Sequence, residues 1–120
     1  MGMIFDTRRF VRSFGYAAAG LRLAVAAGQN LRVQMVAGAV AVAAGWMLHI
    51  SLTEWCILGI VAFQVLAMEV MNTAVERLTD LVAPERSRPA GAVKDIAAAA
   101  VLLSAFSALA AGLIILLPKI

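Results

Sequence analysis

The run Trp55-Cys56-Ile57-Leu58-Gly59-Ile60-Val61-Ala62-Phe63-Gln64-Val65-Leu66-Ala67-Met68 passes directly into Glu69-Val70-Met71-Asn72-Thr73-Ala74-Val75-Glu76-Arg77-Leu78-Thr79-Asp80, with no Gly or Pro at the junction. Read as one helix at about 100° per residue, Glu69, Asn72, Glu76 and Asp80 fall within a sector of roughly 80°. A helix leaving an apolar medium thus carries three carboxylates and a carboxamide along one line. Ionisable groups at membrane depth are costly and commonly functional. Asp80 also suits a plainly solvated helix face. Glu69 suits that less well, because it follows the apolar run immediately.

The composition makes the medium a membrane. Of 120 residues, 63% are hydrophobic and 14% are charged, and the mean hydropathy is +0.94. Soluble domains are nearer half apolar and a quarter charged. A domain of this size cannot bury so much apolar surface in one core, so the chain is expected to be an all-α integral membrane protein forming a single membrane domain over 1–120. The pI of about 9.8 could suggest nucleic acid, but no nucleic-acid motif accompanies it. The basic excess instead fits topology and anionic lipid head groups. A lone Cys56 excludes an intrachain disulfide and a cysteine metal cluster.

Working outward, residues 1–32 hold Arg8, Arg9, Arg12, Arg22 and Arg32 among apolar neighbours. The stretch 8–30 reads as an N-terminal amphipathic helix lying in the membrane interface. A signal peptide ending near Ala26-Ala27 is the rival, but Arg22 interrupts its apolar region. Gly15 to Arg22 has P-loop glycine spacing without the Lys-Ser/Thr pair or a preceding strand, so it is not one. Three transmembrane helices follow, over 31–50, 54–82 and 93–117. His49 belongs to the turn before the second span, where Ser51 or Thr53 can cap the helix. The second span is longer than a bilayer requires, so its last turns, with Glu76 and Asp80, protrude until Pro84 ends it. The loop from Ala83 to Ala92 contains Pro84, Pro89 and Gly91, and Lys94-Asp95 opens the third span. The alanines of that span suit close helix packing in lipid.

Charge sets the topology. The turn from His49 to Glu54 carries no Lys or Arg, whereas the N-terminal segment and the loop around Arg77, Arg86, Arg88 and Lys94 are basic. Both basic regions are therefore expected in the cytoplasm. This collects Glu69, Asn72, Glu76, Asp80, Lys94 and Asp95 at one cytoplasmic interface. Carboxylates and an amide suit a hard cation such as Mg²⁺, and Lys94 with nearby arginines suits phosphates. A carboxylate at the hydrocarbon edge loses hydration and holds a proton more readily, which suits a general base. The combination describes metal-assisted phosphoryl transfer to a lipid head group. A small oligomeric transporter and a non-catalytic lipid-binding bundle use the same elements. Three spans surround little, so a homo-oligomer is expected.

Glu69-x-x-Asn72-x-Ala74-x-Glu76-x-x-x-Asp80, followed by Lys94-Asp95 and an alanine-rich third span, resembles the prokaryotic diacylglycerol kinase family, which includes undecaprenol kinases. Gly15-Tyr16 and Gly20-Leu21-Arg22 are similar to its surface helix. The resemblance implies an ATP- and Mg²⁺-dependent lipid kinase, a homotrimer in the bacterial cytoplasmic (inner) membrane. It also implies sites shared between protomers and facing the cytoplasm. Glu69 would be the general base on the lipid hydroxyl and Glu76 the Mg²⁺ ligand, with Asn72 and Asp80 ordering that site. Lys94 and Asp95 would contact ATP, with Glu85, Arg86 and Ser87 nearby. Arg9 and Tyr16 would approach ATP or lipid from the surface helix, and Arg32 and Ala98 would meet the lipid substrate. One position departs from the family. A glutamate that assists the metal normally stands four residues before the arginine matched by Arg32, and here it is Gly28, followed by Gln29 and Asn30. Asn72 to Arg77 and Lys94 to Ala98 look closer to the undecaprenol-kinase branch. Acceptor choice, diacylglycerol or undecaprenol, depends on groove shape rather than spacing.

Overall fold

The computed structural model describes residues 4–120. It is all-helical, running α1 (Thr7–Ala27), α2 (Gln29–Met47), α3 (Leu52–Val82) and α4 (Arg88–Leu116), with a closing 3₁₀ turn at Leu117–Lys119. Asp6 starts α1 by accepting the backbone N–H groups of Arg8 and Arg9 at 3.0 and 3.2 Å, a cap worth about 1 kcal/mol.

The break between α1 and α2 is a single extended residue, Gly28, at φ −112°, ψ 114°. It falls two residues before the boundary expected at 30, so Gln29 and Asn30 begin α2. The local reason is weak helix propensity at this position, since glycine is a poor helix former. Buried Ala24 and Leu31 pack on either side of this elbow.

α2 stops at Met47, short of the expected 50. His49 takes the left-handed conformation, φ 53°, which turns the chain and lets the Ile50 N–H reach the Gly45 carbonyl at 3.2 Å. Ser51 then starts α3 with a reciprocal cap. Its hydroxyl accepts from the Glu54 N–H at 3.2 Å, and Glu54 Oε1 accepts from the Ser51 N–H at 2.9 Å. This places the start of α3 at Leu52 rather than 54. Lys119 Nζ reaches the same Glu54 oxygen at 3.3 Å, tying the C-terminal turn to this end of the bundle.

At the opposite end, α4 begins at Arg88, earlier than 93, because the Ser87 hydroxyl accepts the Ala90 N–H at 3.3 Å. Pro89 fits the first turn, where its missing N–H costs nothing. The loop therefore shortens to 83–87, and Lys94 lies inside α4 rather than at its start.

α3 and α4 pack antiparallel along their lengths, and α2 leans on them near one end. There Ile50, Leu58 and Ile115 form the buried core, with Ala41, Leu48, Trp55 and Leu116 against it. Outside this core, Phe63, Ile96, Leu103 and Ile114 are each 70% exposed or more, a surface made for lipid rather than water. Ser104 and Ser107 satisfy their hydroxyls on the carbonyls of Val101 and Ser104, at 2.7 and 2.8 Å, as an apolar medium requires. By length and composition two helices among the described residues can cross a membrane, Leu52–Val82 and Arg88–Lys119. α2 spends Gln29, Asn30, Arg32 and Gln34 in its first turns and does not reach the same apolarity.

Gly45 lies where α2 meets the core. A Cβ there would stand 2.9 Å from Ile50 Cδ1 and 3.1 Å from the Trp55 ring. Gly45→Val should therefore cost about 1–3 kcal/mol through overpacking, read as a lower thermal midpoint in detergent. A variant that melts with the native chain would show that this contact yields freely.

Candidate functional site

The apolar stripe that seats α3 continues into its polar end. Leu58 and Val65 are buried on it, and so are Glu69 and Thr79, with Asn72, Thr73 and Val75 half-buried between. Of the line read from the sequence, Glu69 is buried and Asn72 half-buried on this stripe, whereas Glu76 and Asp80 are exposed. Glu69 is only 4% exposed. Thr73 and Thr79 return their hydroxyls to the carbonyls of Glu69 and Val75, at 3.1 and 2.7 Å, and so leave the Glu69 carboxylate uncommitted.

One turn on, Asn72 Nδ2 donates to Glu76 Oε1 at 3.0 Å. This fixes the exposed Glu76 side chain over the helix face. Asn72 Oδ1 is buried and has no partner among the described residues. A buried acceptor without a donor calls for a water, a ligand group or a cation. Glu76 and this amide oxygen are both hard oxygen donors. Among the described residues no three His, Cys, Asp or Glu side chains converge on a metal-sized position. The donor set therefore does not suit a cation caged wholly by protein. It does fit Mg²⁺ carried by a phosphate ligand, which keeps its waters and needs one or two protein oxygens.

Two turns further, Asp80 Oδ1 accepts from Lys94 Nζ at 2.6 Å, joining α3 to α4. With side chains 64% and 40% exposed, this pair adds little stability, and its consequence is positional. It closes one side of a cavity of about 280 Å³ whose lining includes Asp80, Glu85, Arg86, Ser87 and Lys94. Five residues read from the sequence as a nucleotide group thus share one hollow at the α3–α4 turn. Asp95 and Ala98 are exposed on α4 and make no side-chain hydrogen bond or ion pair to this group among the described residues. Arg9 and Tyr16 are exposed on α1, and neither lines the hollow. Arg32 is exposed in the first turn of α2, just beyond the elbow.

Sequence reasoning missed Thr73. The elbow lands on it, for a Cβ on Gly28 would stand 3.8 Å from Thr73 Oγ1. Its position four residues after Glu69 and three before Glu76 was the available signal. The partner across the gap has no sequence signature.

The sequence model of prokaryotic diacylglycerol kinase matches residues 15–116. An undecaprenol kinase of Bacillus subtilis is 30% identical over 115 residues, 96% of this chain and 94% of that protein. A diacylglycerol kinase of Synechocystis sp. is 36% identical over 109 residues, 90% of this chain but 62% of that longer protein.

Proposed function

The chain belongs to the prokaryotic diacylglycerol kinase family, and from that premise we propose that it transfers the γ-phosphoryl group of ATP to the hydroxyl of a membrane lipid, diacylglycerol or undecaprenol. The observation that carries the reading is the buried, uncommitted Glu69 carboxylate one turn from the Asn72–Glu76 pair. A base at the hydrocarbon edge meets a lipid hydroxyl at the depth where that hydroxyl lies. Glu69 accepts its proton as the oxygen attacks. Glu76 and Asn72 Oδ1 would hold Mg²⁺ on the nucleotide, and the ion supplies neutralisation of the transferring phosphates when bound. Lys94, Arg86 and Ser87 offer donors to the rest of the nucleotide, and Asp80 holds Lys94 in place. Asp95 and Glu85 border this region. Arg9 and Tyr16 would close it from α1. Arg32 and Ala98 would meet the lipid.

We take α2 as the first of three spans, with α1 in the interface, the N-terminus and the 83–87 loop in the cytoplasm, and protomers assembled as a trimer in the bacterial inner membrane. The basic residues around both cytoplasmic segments support this orientation, and the open apolar flanks of α3 and α4 support assembly.

The test is transfer of labelled γ-phosphate from Mg-ATP to diacylglycerol and to undecaprenol in mixed micelles. Transfer to either lipid is expected, and the preferred lipid identifies the branch. Folded protein that labels neither would remove the kinase reading. Gly28 favours a second reading, a family member that binds lipid without turnover, because the carboxylate expected there is missing.

The elbow geometry makes that point testable. The Gly28 backbone angles are open to any residue, and a Cβ there would stand 3.8 Å from Thr73 Oγ1, between Glu69 and Glu76 in the chain, with the Ala24 carbonyl oxygen at 3.2 Å giving way by a few tenths of an ångström. Gly28→Glu should therefore add a carboxylate to the metal region and lower half-saturating Mn²⁺ several-fold. The measurement is paramagnetic resonance with a non-hydrolysable ATP analogue. An unchanged titration would show that the elbow does not face the metal.

A further inference from the structure

One polar side chain of α3 has no place in the site. Gln64 is exposed, and it lies about 18 Å along the helix from Leu52, which follows the outer turn. That is near the middle of a hydrocarbon layer roughly 30 Å thick. A glutamine side chain is too short to reach the head groups from there. The side-chain hydrogen bonds of α3 among the described residues involve Glu54, Asn72, Thr73, Glu76, Thr79 and Asp80, and Gln64 makes none. With no water in the lipid core, a carboxamide left unpaired is costly.

The neighbours of Gln64 on the helix surface indicate what covers it. Ile57, Gln64, Met71 and Leu78 recur every seven residues, and Ile60, Ala67 and Ala74 stand three residues after the first three. Each of these side chains is exposed. They lie on the far side of the helix from Leu58 and Val65, which are buried in the bundle. Two rows of period seven form the seam of a left-handed coiled coil, a face that packs against a copy of itself. Ala67 and Ala74 permit close approach in lipid. Ile57 and Ile60 put isoleucine at both seam positions of one repeat, which favours three strands over two. Copies that share one orientation, as the basic segments direct, run their seams parallel. Each seam residue then meets its own counterpart at the same depth. A carboxamide suits that encounter, because it carries a donor and an acceptor and can bond its own kind.

We propose that Gln64 sets the register of the assembly. Three copies of α3 meet along this seam, and each Gln64 Nε2 donates to Gln64 Oε1 of the next copy, closing a ring at the membrane midplane. The ring presupposes the trimer proposed for the kinase and supplies the face and the residue that hold it. Slippage by one turn would leave all three carboxamides unpaired in lipid. The ring therefore keeps the turns from Glu69 to Glu76 of the three copies at one depth.

The test is sedimentation equilibrium of the full chain in density-matched detergent, over a range of protein-to-detergent ratios. Gln64→Leu should raise the trimer dissociation constant about thirtyfold, roughly threefold for each of the ring's three bonds. Gln64→Asn keeps donor and acceptor on a shorter stem and should fall between Gln64→Leu and the native chain. Ser107→Ala removes a hydroxyl from α4 whose bond stays within its own helix, and it should leave the constant unchanged. Equal constants for Gln64→Leu and the native chain would overturn the ring and leave the trimer standing. A native chain that is monomeric at every ratio would overturn both. Equal weakening by Ser107→Ala would overturn the ring, since any lost polar group would then have the effect. The face is tested by oxidation in a Cys56→Ser background. Ala67→Cys should form disulfides between copies and Leu103→Cys on α4 should not. The reverse pattern would place the contact on α4 and overturn the seam. Circular dichroism of each variant separates lost association from lost helix.

Discussion

Glu69→Gln should reduce phosphoryl transfer by about 10²–10⁴-fold, the usual worth of a positioned general base, while leaving the fold intact. The substitution keeps the volume of a side chain that is 4% exposed. It replaces a charged group at the edge of an apolar medium with a neutral one, so the desolvation cost of holding a charge there disappears. The helix cannot suffer through Thr73, whose hydroxyl bonds the Glu69 backbone carbonyl rather than its carboxylate. Binding of Mg-ATP should persist, because Glu69 does not line the α3–α4 hollow. The measurement is turnover beside nucleotide binding and thermal midpoint for both proteins. A variant that turns over at the native rate would take the base role away from Glu69. One that fails to bind nucleotide would move Glu69 into the nucleotide site.

Glu76→Gln should produce a loss of similar rank but different character, about 10²–10³-fold when Mg²⁺ is limiting. The amide oxygen of glutamine can still accept from Asn72 Nδ2, now 3.0 Å from Glu76 Oε1. Geometry therefore survives and only the negative charge is lost. A site defined by one protein carboxylate and an amide oxygen then has no charge left to attract the ion. Raising Mg²⁺ should recover part of the rate, whereas it should do nothing for Glu69→Gln. That contrast separates a metal ligand from a base more securely than either rate alone. If Mg²⁺ rescues neither variant or both alike, the division of roles between the two carboxylates fails.

Much of this arrangement is local, and local features are legible in a sequence. The line from Glu69 to Asp80 follows from the helical period, and Pro84 ends α3 within two residues because it cannot continue the hydrogen-bonded turn. The caps are less legible, because several residues could serve. Ser51, Thr53 and Ser87 all have the right chemistry, and only the folded chain selects Ser51 with Glu54, and Ser87 with Ala90. That selection moves the start of α4 to Arg88 and places Lys94 a turn and a half inside it. From there Lys94 reaches back to Asp80, a contact across 14 residues.

The helical class, the apolar surface, the carboxylate line and the clustering of basic residues on the N-terminal segment and around the α3–α4 turn come from composition and periodicity alone. They depend on interactions between residues three or four apart, or on the solvent, and both are written along the chain. The packing of the α1–α2 elbow against Thr73, the hollow closed by Asp80 and Lys94, and the buried Asn72 oxygen without a donor do not. Each arises where segments distant in sequence meet. The direction in which one extended residue at Gly28 turns the chain is set by what the two helices pack against, and no spacing of residues encodes that.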